Sequence, residues 1–69
     1  MKTNLRKYRF KAGDLSQQQL ADRVHVSRQT INAIERGNYN PSVMLALLLA
    51  KAINVTVEQL FQLEETDNV

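Results

Sequence analysis

The chain has 69 residues, 43% of them hydrophobic, no cysteine, one histidine and a formal net charge of +2. That length allows one domain, expected to span residues 1–69, and a domain of about this size buries only about 60% of its unfolded surface. The composition argues against a disordered chain; the missing cysteines exclude a disulfide scaffold, and the longest apolar run, Val43 to Ala50, is too short to span a membrane.

The charge is unevenly placed. Residues 1–40 carry eight Lys or Arg against three Asp or Glu, and residues 41–69 carry one against four. Such asymmetry suits a basic binding face and an acidic far end. Met1 is followed by polar and basic residues, so no signal peptide is expected, and the cytoplasm is the expected compartment.

Asn4 or Thr3 is placed to cap a first helix running through Ala12, with Leu5, Tyr8 and Ala12 inward and Gly13 ending it. Ser16 and Gln19 form the Ser-x-x-Gln capping box of a second helix, in which Leu20, Ala21 and Val24 recur at helical spacing. A break follows at His25-Val26. Ser27 caps a third helix with Ile31 and Ile34 as its apolar stripe, and Gly37 stands where a helix stops. Two helices of about two turns joined by a turn of three or four residues make a helix-turn-helix, and neither is long enough to be stable without packing. Asn38-Tyr39-Asn40-Pro41 reads as a loop. Ser42 caps a fourth helix, Val43 to Ile53, with Asn54 as a left-handed stop. Thr56 and Gln59 form a second capping box for a short fifth helix, Val57 to Leu63 at most, and Glu64 to Val69 is expected to fray.

The expected core is Leu5, Leu15, Leu20, Ala21, Val24, Val26, Ile31, Ile34, Val43, Ala46, Leu49, Ala50, Ile53, Val55, Val57 and Leu60. Ala21 sits where the two motif helices cross, and a larger residue there would force them apart at about 1–3 kcal/mol. Arg28, Gln29, Asn32 and Ala33 fall on the outward side of the third helix, opposite Ile31 and Ile34. On a recognition helix such residues reach base edges: Arg bridges guanine O6 and N7, Gln or Asn bridges adenine N6 and N7, and an Ala methyl meets that of thymine. The fourth helix is apolar on more than one side, since Met44 and Leu48 lie nearly opposite its core face and Leu47 at the flank. That implies a second buried surface or an exposed patch. His25 has no Cys, His or carboxylate at ligand spacing and the chain holds no nucleophile–base set, so no metal, cofactor or enzymatic activity is expected.

The stretch Ser16 to Gly37 resembles the lambda-repressor-like regulators, the Cro and phage-repressor family also called XRE-type. The resemblance rests on Gln17, Leu20-Ala21, Val24, Val26-Ser27-Arg28-Gln29-Thr30-Ile31, Ile34-Glu35 and Gly37, and it continues through Asn40-Pro41-Ser42 to Val55, Val57, Leu60 and Phe61. It implies an all-α, five-helix DNA-binding domain with a central helix-turn-helix, and a sequence-specific regulator of double-stranded DNA. A repressor acting as a homodimer on a palindromic operator is the expected form. It also implies phosphate contacts from Gln17, Ser27 and Arg36 and from the loop Asn38, Tyr39 and Asn40, and an ion pair between Arg9 and Glu35. Family members often dimerise through their C-terminal helices, and the apolar residues left over here, Met44, Leu48, Phe61 and Leu63, are the expected interface. Two departures stand out. Asp14 adds a residue to the loop before the second helix, and His25 occupies a turn position that is usually Gly because its backbone is left-handed. The competing reading is an antitoxin-like interaction module with autoregulatory DNA binding, supported by the acidic stretch Glu58 to Asp67 and the Met44/Leu48 patch.

Overall fold

The computed structural model describes residues 1–67; of the expected frayed end, Asn68 and Val69 lie outside the described residues. Five helices follow one another: α1 (Leu5–Lys11), α2 (Gln17–Val24), α3 (Arg28–Glu35), α4 (Val43–Ala52) and α5 (Val57–Leu60). The N-caps explain most of their starts. The side chains of Ser16, Ser27, Ser42 and Thr56 each accept from the backbone N–H three residues on, and both capping boxes, Ser16/Gln19 and Thr56/Gln59, close reciprocally.

α1 starts differently. Thr3 Oγ1 accepts from the Leu5 N–H at 3.2 Å. Asn4 makes no capping bond and instead donates its amide to the Gln59 carbonyl at 3.2 Å and Gln62 Oε1 at 3.1 Å. Its side chain therefore ties the two ends of the chain together.

The C-terminal expectation needs correction for the same reason. The fifth helix is a single turn ending at Leu60, because Phe61 turns extended at φ −133° and ψ 132°. Phe61–Gln62 forms a short strand, β2, antiparallel to β1 (Lys2–Thr3), with Lys2 opposite Gln62 and Thr3 opposite Phe61. A two-residue bridge gives too little alternation to be read from sequence. Beyond it, Glu65–Asp67 makes one 3₁₀ turn, and the Met1 ammonium contacts Asp67 Oδ2 at 2.9 Å.

The core gathers Leu5, Leu15, Leu20, Ala21, Val24, Ile31, Ile34, Leu49, Ala50, Ile53 and Leu60, with Val26, Val55, Val57, Tyr8 and Ala12 partly buried against it. Two expectations fail on α4. Val43 is 78% exposed, whereas Leu45, left out of the expected core, is 8% exposed. At 100° per residue the buried arc runs through Leu45, Ala46, Leu49, Ala50 and Ile53, and Val43 falls just beyond its edge in the first turn. A helix apolar on all sides offers no polar face to set that phase.

The special backbone positions fall in turns. His25 at φ 62° is left-handed and closes α2, Asn54 at φ 58° follows α4, and Gly13 and Asp14 carry φ 97° and 55° in the loop that holds the extra residue. Gly37 at φ 78° ends α3, where the Asn38 N–H reaches back to the Ala33 carbonyl at 2.9 Å.

Candidate nucleic-acid interface

α3 is held by its apolar face. Ile31 and Ile34 are fully buried, and the helix packs on α2 and α1. The other side is therefore turned outward: Arg28, Gln29 and Arg36 are exposed, and Asn32 and Ala33 are half-buried between them and the core. The four residues expected to meet bases thus share one face. Ser27 is exposed and acts as the cap, accepting from the Thr30 N–H at 3.2 Å, with its Oγ 3.0 Å from Thr30 Oγ1. Asn38, Tyr39 and Asn40 are exposed in the loop after α3.

Beneath this face lies the expected ion pair. Arg9 is 6% exposed. Its Nε donates to Glu35 Oε2 at 2.7 Å, its Nη2 to Glu35 Oε1 at 3.1 Å and its Nη1 to the Leu15 carbonyl at 2.6 Å. The fork–fork geometry joins α1 to α3 and satisfies the carbonyl at the entrance to α2.

Gln17, half-buried at the first position of α2, is drawn into the same network. Its Nε2 donates to Glu35 Oε1 and to Asn32 Oδ1, both at 3.2 Å, and Arg28 Nη1 lies 3.5 Å from its Oε1. Both amide protons are thus engaged within the protein, which leaves the backbone N–H groups at the start of α2 for an anion.

Arg6 was not singled out from the sequence. It lines an open concavity of about 200 Å³ with Arg9, Gln17, Asn32, Glu35 and Arg36. Its guanidinium lies 5.7 Å from the centroid of the exposed Phe10 ring, and Arg9 lies 4.6 Å from that ring on the protein side. The available signal was the clustering of Arg6, Lys7, Arg9 and Lys11 on α1, but only packing reveals which of them turns toward α3. The open concavity beside α3 is therefore lined by three arginines, Arg6, Arg9 and Arg36.

This geometry has counterparts. A helix-turn-helix family model matches residues 5–60, which takes in all five helices. The chain belongs to the XRE-type helix-turn-helix family. It is a DNA-binding transcriptional regulator of that type. The chain is 45% identical over 65 residues to YgzD, an uncharacterized HTH-type transcriptional regulator of Bacillus subtilis, covering 94% of this chain and 97% of that one. An uncharacterized HTH-type transcriptional regulator of Archaeoglobus fulgidus is 40% identical over 67 residues, covering 97% and 94% of the two chains. Over 50 residues, 72% of this chain and 46% of the relative, it is 46% identical to a competence pilus inhibition repressor of Acinetobacter baylyi. The solved structure of the restriction-modification controller protein C.AhdI from Aeromonas hydrophila superposes with a TM-score of 0.74 at 37% identity, covering 83% of this chain and 85% of that one.

Away from the α3 face is a second concavity, of about 320 Å³, lined by Met1, Pro41, Val43, Ala46, Leu47, Val57, Glu58 and Phe61. It shares no residue with the first. Of the residues expected at a dimer interface, only Phe61 lines it, half-buried; Met44 and Leu48 are exposed on the next arc of α4, and Leu63 is exposed beyond β2. Among the described residues no helix is long and apolar enough to cross a membrane.

Proposed function

We propose that the chain, as one domain over residues 1–69, is a sequence-specific repressor that reads a palindromic double-stranded operator as a homodimer. The observation that carries this reading is the outward stripe Arg28, Gln29, Asn32 and Ala33 on α3, opposite two fully buried isoleucines and beside a concavity that Arg6 and Arg36 line together with Asn32. Arg28 and Gln29, in the first turn of α3, enter the major groove and contact base edges. Asn32 and Ala33 follow one turn deeper. Ser27, Arg36, Asn38, Tyr39, Asn40 and the backbone N–H of Gln17 meet the phosphates on either side, and Arg6 joins them. The cytoplasm is the compartment that suits such a role.

One helix reads only a few base pairs, and two copies on half-sites about one helical turn apart supply useful specificity. A second copy fits the apolar side of α4 and α5, where Val43, Leu47 and Phe61 line the second concavity, and Met44, Leu48 and Leu63 are exposed as well. An exposed apolar arc of this extent on a small domain is a feature of association surfaces. The regulator names of the relatives favour this reading over an interaction module that binds DNA only secondarily.

Selection from random duplexes, followed by sequencing of the bound fraction, tests the proposal. Enrichment of one inverted repeat, with affinity falling steeply as salt rises, is the expected result. No enrichment at low salt would remove it.

A further inference from the structure

α1 turns one arginine inward and another outward, and the ring of Phe10 lies against both. Arg9 is buried, with Glu35 and the Leu15 carbonyl fixing its guanidinium, and its charge is met by that carboxylate at 2.7 Å. Arg6 is exposed and, among the described residues, has neither a carboxylate partner nor a hydrogen bond. Its one close neighbour of matching chemistry is the Phe10 ring, whose centroid lies 5.7 Å from the Arg6 guanidinium and 4.6 Å from that of Arg9. Core packing does not account for Phe10. It is 46% exposed and is not among the residues packed on the core. Its backbone is nevertheless held, because its carbonyl accepts from the Asp14 N–H at 2.9 Å, in the loop that carries the extra residue.

A guanidinium over an aromatic face is attracted by the ring quadrupole, and that attraction occupies none of its N–H donors. A carboxylate partner would engage the same donors and cancel the charge. Arg6 thus reaches the concavity it lines with Gln17, Asn32 and Arg36 with its charge uncompensated and its donors open. The other cations stacked on α1 differ. Lys7 and Lys11 lie 5.4 and 5.7 Å from the ring of Tyr8, and neither lines the concavity.

We propose that Phe10 is a positioning residue for DNA-backbone binding: its ring, seated on the fixed Arg9 guanidinium, holds the Arg6 guanidinium at the concavity with its donors free for a phosphate. The inference rests on the phosphate contact given to Arg6 above.

A phosphate contact carries no sequence information, so a short duplex of arbitrary sequence at low salt serves as the probe. Arg6→Ala should weaken binding and lower the slope of log affinity against log salt by about 1 for each bound copy. Phe10→Leu keeps an apolar side chain and removes the aromatic face. It should weaken binding by about two- to fivefold for each bound copy, the range of an exposed cation–π contact. Phe10→Tyr, which keeps the ring, should bind as wild type does. In the Arg6→Ala background Phe10→Leu should cost nothing further. An equal loss in both backgrounds would overturn the proposal, because Phe10 would then be touching DNA itself or supporting the fold.

A second arm needs no DNA. The side-chain protons of Arg6 should resonate upfield under the ring current of Phe10 and move downfield in Phe10→Leu, and unchanged shifts would overturn the proposal. A wild-type protein that bound no duplex would remove the phosphate role of Arg6 and the positioning role with it. Selection from random duplexes decides the base-reading role of α3 independently of these values.

Discussion

α3 and α4 are of similar length and both carry a serine cap, yet they divide their residues in opposite ways. α3 buries two isoleucines and turns polar side chains outward, two of them, Arg28 and Asn32, in contact with Gln17 of α2. α4 buries Leu45, Ala46, Leu49 and Ala50 and still leaves Val43, Met44, Leu47 and Leu48 to solvent. The first helix is complete as it stands except for a ligand that supplies polar groups. The second is complete only when something apolar covers it. The comparison matches the two tasks proposed above, reading DNA on one surface and joining a second copy on another.

The largest expected effect comes from the ion pair that anchors the reading face. Arg9→Ala leaves Glu35 buried without its main partner, and losing one member of a buried pair typically costs about 3–5 kcal/mol. In a domain this small that is a large share of the total stability. Urea unfolding should show a much lower midpoint for this variant, whereas a midpoint close to wild type would mean that the pair is not what holds α1 to α3.

The apolar side is tested by Leu47→Asp. Leu47 is 56% exposed, so in the isolated domain the change should stay within about 0.5 kcal/mol of wild type, as for most surface substitutions. In the proposed dimer it buries an unpaired charge, and sedimentation should show monomers with weakened operator binding. Dimers that survive Leu47→Asp would move the interface to the Met44, Leu48 and Leu63 side of the patch.

A smaller effect is expected at the turn that joins α2 and α3. His25 holds φ 62° without a glycine. His25→Gly relieves that conformation but loosens the unfolded chain, so a gain of at most about 1 kcal/mol is expected in thermal unfolding. A clear loss would mean that the imidazole contributes a contact of its own.

The smallest effect lies where the ends meet. The hydrogen bond that the Met1 ammonium donates to the Asp67 carboxylate raises its pKa above the ordinary value of 8.0. The Glu64 N–H, followed by that ammonium, lowers Asp67 below 3.8. The ammonium therefore stabilises fully below pH 8 and loses its effect as pH rises through its raised value. Asp67 stabilises above its ordinary value and loses its effect as pH falls through its lowered one. Amide exchange in the β1–β2 pair should be slowest between these limits, and Asp67→Asn should flatten the profile. An unchanged profile in that variant would mean that the contact does not hold the ends.

How much was legible in the sequence follows the same division. The caps Ser16, Ser27, Ser42 and Thr56 stand where the pattern put them, and on α2 and α3, which have a polar side, Leu20, Ala21, Val24, Ile31 and Ile34 bury as expected. Asn54 and His25 are left-handed, the latter expected from the family resemblance. The phase of α4 was not legible, because Val43 and Leu45 are equally apolar and only the position of α2 and α5 decides between them. The end of α5 was not legible either, since the chain leaves the helix at Phe61 to pair with residues 58 or more positions earlier. At the candidate site, the outward stripe followed from helical spacing and the Arg9–Glu35 pair from the family resemblance. The inward engagement of Gln17 and the approach of Arg6 depend on tertiary packing that no local pattern encodes.

The central claim is that α3 discriminates bases through its first turn. The most direct measurement is the affinity of wild type and of Arg28→Ala for the selected operator and for each of its single-base variants. The account predicts that Arg28→Ala loses about 1–3 kcal/mol on the operator and becomes indifferent at one base position while keeping its preferences elsewhere. An Arg28→Ala variant that binds operator and variants in the same ratios as wild type would contradict it.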